Sequence, residues 1–178
     1  MKKKVCFFLF FVLLGLALFS MFFEKSSSRC EPNSACAFCD HAILNRQKFY
    51  EDEHVCALYT HKPMLPGHCL IIPKRHVYRF ETLTQEEISH LGMLIKKVNQ
   101  ASMEVFGTSS YLLLQKNGYE SGQTVPHVHF HYIPRKEGDD SRLAFIFKMF
   151  MASAKKPISH QEMEKTVEML KHATGCLE

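Results

Sequence analysis

The sequence predicts an α+β domain: a largely antiparallel meander sheet with one long amphipathic helix. Three observations lead there. Short apolar runs at Val55–Tyr59, His68–Pro73 and Tyr111–Leu114 are bounded by turn signals, as strands are. Thr84-Gln85-Glu86-Glu87 is a capping box, followed at helical spacing by Ile88, Leu91, Ile95, Val98 and Val105, with Gly107 as the stop. Finally, Pro126-His127-Val128-His129-Phe130-His131-Tyr132-Ile133-Pro134 alternates histidine with apolar residues, the period of a strand. Strands before and after a single helix favour segregated α and β elements over a parallel βαβ array.

In chain order, Met1–Lys4 is a basic start, and residues 5–23 are apolar apart from Gly15 and Ser20. That run is about the length of a bilayer span and lacks a small-residue cleavage signal behind it, so it reads as an uncleaved N-terminal membrane anchor. The lysines ahead of it would stay cytoplasmic. The alternative is a cytoplasmic protein starting at Met21. Residues 24–34 form a serine-rich linker, and a domain begins at Ala35. Ala42–Tyr50 reads as a short helix and loop. Val125–Ile133 is the histidine strand, Lys136–Asp140 a charged loop, and Leu143–Met151 an apolar helix or flap. Ser159-His160-Gln161-Glu162 opens a last helix with Met163, Val167 and Leu170 inward.

The formal charge is +4, but Lys2, Lys3 and Lys4 supply three positive charges, leaving 22 − 3 = 19 basic against 18 acidic residues. No nucleic-acid footprint is evident. Seven cysteines at irregular spacing do not form the framework of a small secreted domain. Cys56 and Cys69 lie in apolar runs and read as core fillers.

A lone histidine on a strand is usually filler. Three in alternation, bracketed by prolines, point to a site. Along a strand, residues two apart are separated by roughly 6.6 Å and four apart by roughly 13 Å, whereas zinc–nitrogen bonds are about 2 Å. One strand therefore cannot place all three on a single ion without a bulge, and at least one imidazole is left for chemistry. Cys36-Ala37-Phe38-Cys39 has a zinc-knuckle gap. His76 and His127 are candidates to complete a tetrahedron, which would make the ion structural. A redox dithiol or two unrelated thiols are the alternatives.

These residues resemble the histidine-triad (HIT) superfamily of nucleotide hydrolases and transferases, in its zinc-binding bacterial-type branch. The resemblance is carried by His127–Ile133, by Ser121-Gly122-Gln123-Thr124-Val125, by Leu65–His76 ending in Pro-Lys-x-His, and by the Cys36/Cys39 pair. It covers most of 35–137 and leaves 138–178 as a C-terminal extension.

It implies an α+β HIT fold and a nucleotide-type small-molecule substrate attacked at its α-phosphate, with His129 as nucleophile and a nucleotidyl-histidine intermediate. It places His68 and His131 at the phosphate, Gln123 near the leaving oxygen and Thr124 as a phosphate-contacting hydroxyl. Asn117 lies one residue after the family's Asn or Gln, a place taken here by Lys116. Cys36, Cys39, His76 and His127 match zinc ligands, and a homodimer is possible. Thr60 stands where relatives often hold an acidic residue for the ribose. The competing readings are a binding or scaffold protein with little turnover, and a metal carrier.

Overall fold

The computed structural model describes residues 36–139 and 141–175. The expected anchor at 5–23 and linker at 24–34 lie outside them. Among the described residues, no helix is long and apolar enough to cross a membrane.

After a helical turn at Ala37–Cys39, α1 (His41–Gln47) leads into β1 (Lys48–Glu51), β2 (Val55–Tyr59) and β3 (Cys69–Pro73). The long helix α2 (Gln85–Phe106) follows, then β4 (Tyr111–Gln115) and β5 (Phe130–Pro134). Two helices close the chain, α3 (Arg142–Met151) and α4 (His160–Thr174). The strands form one sheet in the order β1-β2-β3-β5-β4, with every neighbouring pair antiparallel.

The period-two alternation of β3 divides the core. Cys69 and Ile71 face α2 and α4, packing with Leu91, Leu94, Val98, Met163, Val167 and Leu170. Leu70 and Ile72 face the other way and meet Cys56, Leu58 and Phe38. Cys56 and Cys69 are both buried, free thiols in the core. Tyr132 lies on the helical side, its hydroxyl donating to Asn99 Oδ1 of α2 at 2.8 Å. His131 pairs with Leu70 across the ladder and therefore faces the Phe38 side.

The capping box at the start of α2 is present: Thr84 Oγ1 accepts from Glu87 N, and Glu87 Oε2 accepts from Thr84 N. Gly107 closes the helix at φ 72°, the left-handed conformation that glycine adopts without a Cβ penalty. Glu87 is also gripped by the Arg75 guanidinium at 2.8 and 2.9 Å, which ties the loop after β3 to the helix. The buried line of α2 runs Leu91, Leu94, Val98, Ala101, so Ile95 and Val105 sit at its margin and Ile88, in the first turn, is exposed.

Two further expectations are corrected. Residues 125–129 are not strand; regular pairing begins at Phe130. Pro126 has no N–H to donate, the carbonyls of Val125 and His127 accept from the Gln123 amide, and Val128 N donates across to Val77 O. This segment is thus held by loop contacts instead of a ladder. Residues 48–51 form an edge strand where loop was expected. The apolar run of the C-terminal extension is a helix: Phe145 packs on Met64, Leu65 and Ile133, while Leu143 and Phe147 remain exposed.

Candidate functional site

The loop before β5 and the first residues of β5 place His127, His129 and His131 in three different settings. His129 Nδ1 lies 2.7 Å from the carbonyl oxygen of His127. A carbonyl only accepts, so Nδ1 carries the proton and Nε2 keeps its lone pair. Among the described residues, no side chain or backbone group hydrogen-bonds that Nε2. Phe38 meets the His129 ring edge-on at 5.2 Å, and the His131 ring lies 5.0 Å away.

His131 has the opposite tautomer, and the chain of donors fixes it. Met64 N donates to His68 Nδ1 at 3.2 Å, so the proton of neutral His68 is on Nε2. That Nε2 lies 3.0 Å from His131 Nδ1, which must accept. The proton of His131 is therefore on its own Nε2. The result is two adjacent imidazoles, one presenting a lone pair and the other an N–H.

The assignment requires neutral rings, and burial supplies that. Desolvation, with help from Lys155 and His129, pushes His68 down to about 3. Burial, then His129, His68 and Lys116, lowers His131 to about 2. Burial also lowers His129, against the opposing pull of the His127 carbonyl.

His127 turns the other way. Its Nε2–H donates to Pro73 O at 2.8 Å, which leaves Nδ1 as a lone pair. Burial holds this ring neutral, down to about 4. Nδ1 lies 3.5 Å from Cys36 Sγ and 3.7 Å from Cys39 Sγ, and His76 Nδ1 lies 3.4 Å from Cys39 Sγ. Burial pushes the Cys36 thiol up to about 11, so without a cation it stays protonated. All four ligand atoms fall within 4.8 Å of one another. Nitrogen and sulfur donors around a tetrahedral zinc sit about 3.5 Å apart, given bonds near 2.0 and 2.3 Å, so this donor set fits such an ion.

A HIT-domain family model matches residues 43–138. The chain belongs to the HIT family. It is 42% identical over 104 residues to the bis(5'-nucleosyl)-tetraphosphatase [asymmetrical] of Schizosaccharomyces pombe, covering 58% of this chain and 57% of that protein. It is 41% identical over 116 residues to a bifunctional bis(5'-adenosyl)-triphosphatase/adenylylsulfatase of Arabidopsis thaliana, covering 65% and 63%. The chain thus spans about three fifths of the length of these two relatives. Among solved structures, it resembles the Plasmodium falciparum diadenosine triphosphate hydrolase at a TM-score of 0.61 and 27% identity, over 73% of this chain and 77% of that one.

Against this HIT framework, the remaining expected site residues fall at different depths. Gln123 is buried, and its amide is committed to main chain. Nε2 lies 3.1 to 3.3 Å from the carbonyls of Tyr78, Val125 and His127, and Oε1 accepts from Gly118 N. Asn117 is also committed, accepting from Phe80 N and donating to Glu81. Gly118, at φ 100°, makes the turn between them. Thr124 is exposed, next to the buried Gln123.

Lys116, in the place of the family's Asn or Gln, depresses both His129 and His131. Two contributors to this HIT site were not among the expected ones. Phe38, inside the Cys-x-x-Cys loop, meets His127 and His129 edge-on. Lys155, after α3, donates to Pro63 O at 2.7 Å and Met64 O at 3.3 Å, beside the residue whose N–H sets the His68 tautomer. Only the Cys-x-x-Cys spacing could have pointed to Phe38; no local pattern marks Lys155.

Proposed function

We propose that this protein is a nucleotidyl hydrolase or transferase acting at the α-phosphate of a dinucleoside polyphosphate, phosphoramidate or similar compound, through a nucleotidyl-His129 intermediate. One observation carries the reading: the adjacent, oppositely protonated imidazoles of His129 and His131. The names of the similar tetraphosphatase and triphosphatases support it.

The His129 Nε2 lone pair attacks the α-phosphorus, a P–N bond to His129 forms, and the bond from phosphorus to the leaving oxygen, or to the leaving nitrogen in a phosphoramidate, breaks. A neutral imidazole is nucleophilic at pH 7, and the lowered pKa of His129 keeps it so. His131 Nε2–H donates to a non-bridging oxygen as charge builds there, with His68 supporting it from behind. Water then attacks phosphorus and gives up a proton to solvent, the P–N bond breaks, its electrons return to Nε2, and a nucleoside monophosphate leaves. By the family resemblance, Thr124 supplies a phosphate-contacting hydroxyl, and its exposure agrees with that role. Gln123 serves by holding the loop that presents His129, since its amide is already engaged, and Asn117 braces the same loop. Lys116 adds positive charge where a polyphosphate leaving group would extend.

Cys36, Cys39, His76 and His127 would hold a structural zinc. With four protein ligands there is no open position for substrate. Such an ion supplies a fixed cross-link here, and its contribution to turnover passes through His127, whose carbonyl orients His129. The outer position of β4 in the sheet and its exposed Tyr111 and Leu113 support the homodimer that the family resemblance implies.

Purified protein should release nucleoside monophosphate from diadenosine tri- or tetraphosphate, and His129→Ala should abolish release. A second reading, nucleotide binding without turnover, is favoured by Thr60, which is buried with its N–H on His68 O and offers no carboxylate for a ribose. Saturable nucleotide binding with no product from any of these substrates would select it.

A further inference from the structure

A second group of metal-ligand side chains lies away from the histidine motif. Asp52, Glu53 and His54 form the turn between β1 and β2, and His90 is on α2 above it. The rings of His54 and His90 meet edge-on with centroids 4.5 Å apart. Glu53 Oε1 lies 3.3 Å from His54 Nε2 and 3.8 Å from His90 Nε2. One ligand atom from each of the three residues falls within 4.8 Å of the other two. Nitrogen and oxygen donors on a tetrahedral ion at 2.0 to 2.2 Å are about 3.4 Å apart, so closing on a cation needs only small side-chain shifts.

The orienting partner is already in place. His90 Nδ1 lies 2.9 Å from Asp52 Oδ2, an acceptor, so Nδ1 carries the proton and Nε2 points its lone pair toward Glu53 and His54. This carboxylate–histidine arrangement is how metal-binding imidazoles are fixed. Asp52 is itself held, because Oδ1 accepts from His54 N at 2.8 Å and Val55 N at 2.9 Å. Lys74 N donates to His54 O, and Lys74 Nζ reaches Asp52 O and Glu51, so this cation is engaged outside the three proposed ligands. Glu86 adds negative potential toward His54, while the charge of Glu87 is matched by Arg75.

We propose that Glu53, His54 and His90 form a second site for a borderline divalent transition ion, with Zn²⁺ as the natural probe and Asp52 as the residue that positions His90. Two imidazoles and one carboxylate suit zinc, nickel or copper better than magnesium or calcium. Three protein ligands leave one position open to water or a ligand from a partner. An ion there clips the β1–β2 turn to α2. The site shares no residue with the Cys36, Cys39, His76, His127 cluster, so either can fail alone.

The test is calorimetric titration of the full chain with Zn²⁺, after one equivalent has been added and unbound ion dialysed away. A second saturable equivalent is expected. Glu53→Gln, His54→Gln and His90→Gln should each weaken it at least tenfold, and Asp52→Asn roughly tenfold. Glu53 is largely exposed, so its variant tests the site without disturbing the fold. Thiolate-to-cobalt absorption of the Co²⁺-loaded protein should be unchanged in all four, which separates this site from the cysteine cluster. Zinc stoichiometry and affinity that are both unaltered in His54→Gln and in His90→Gln, whatever the cysteine cluster binds, overturn the proposal.

Discussion

The main-chain oxygen of His127 accepts the Nδ1–H of His129 at 2.7 Å, in a loop whose shape depends on Gln123. The tautomer of the proposed nucleophile is therefore set by a carbonyl, and that carbonyl's position by a buried amide. Gln123→Ala strands Gly118 N–H and removes donors from up to three carbonyls, so it should cost about 2 kcal/mol or more in urea unfolding. It should also lower kcat with little change in KM, since substrate contacts elsewhere persist. An unchanged kcat in a folded Gln123→Ala protein would remove Gln123 from the orienting role.

His68 sets the proton on His131 without needing to touch the reacting phosphorus. His68→Leu leaves His131 free to take either tautomer and should lower kcat about 100-fold, on the scale of losing one transition-state donor. The readout is steady-state kinetics on diadenosine triphosphate, with circular dichroism to check the fold. Activity within twofold of the parent would show that the Met64–His68–His131 relay has no catalytic role.

The buried imidazoles tie stability to pH. His68 has a folded pKa near 3 against about 6.5 when unfolded. The pKa is depressed, so between those values the unfolded chain binds a proton that the folded chain refuses. Stability is complete above pH 6.5 and falls as pH drops toward 3, by up to about 1.4 kcal/mol per pH unit for such a histidine. His131 adds in the same direction. Urea midpoints at pH 7.5, 6 and 5 should decrease in that order, and His68→Leu should flatten the slope. A midpoint that rises on acidification contradicts the burial argument.

Removing metal from the cysteine cluster should loosen His76 and His127 together. Chelation, or Cys39→Ser, is expected to lower Tm by roughly 5–10 °C, the scale of one to two kcal/mol in a domain of this size. It should lower kcat as well, because His127 carries the carbonyl on which His129 depends. Readdition of zinc should restore both in the chelated protein but not in Cys39→Ser. If chelation releases no metal and changes neither quantity, the cluster holds no structural ion.

Much of the domain is legible in local sequence. The capping box at Thr84 and Glu87, the stop at Gly107 and the inward Met163, Val167 and Leu170 appear as read. So does the gathering of Cys36, Cys39, His76 and His127, the set that the family resemblance implied. The histidine segment was misread as continuous strand since alternation registers which side chains face inward, while the ladder is decided by partners. Here a buried side chain, Gln123, supplies the partners that a neighbouring strand would have given. The relay from Met64 through His68 to His131 was illegible because its donor is a main-chain N–H distant in sequence from the motif. Lys155 reaches Pro63 and Met64 from more than ninety positions away, and no periodicity encodes such a contact.

The proposed turnover depends on His129 Nε2 forming a bond to phosphorus. Rapid quench of the protein with α-labelled diadenosine triphosphate, followed by peptide mapping, tests that directly. The expected result is a base-stable, acid-labile nucleotide adduct on His129, formed at least as fast as turnover and absent in His129→Ala, which should be inactive. Label on another residue, or monophosphate release by His129→Ala at a rate near the parent's, would contradict it.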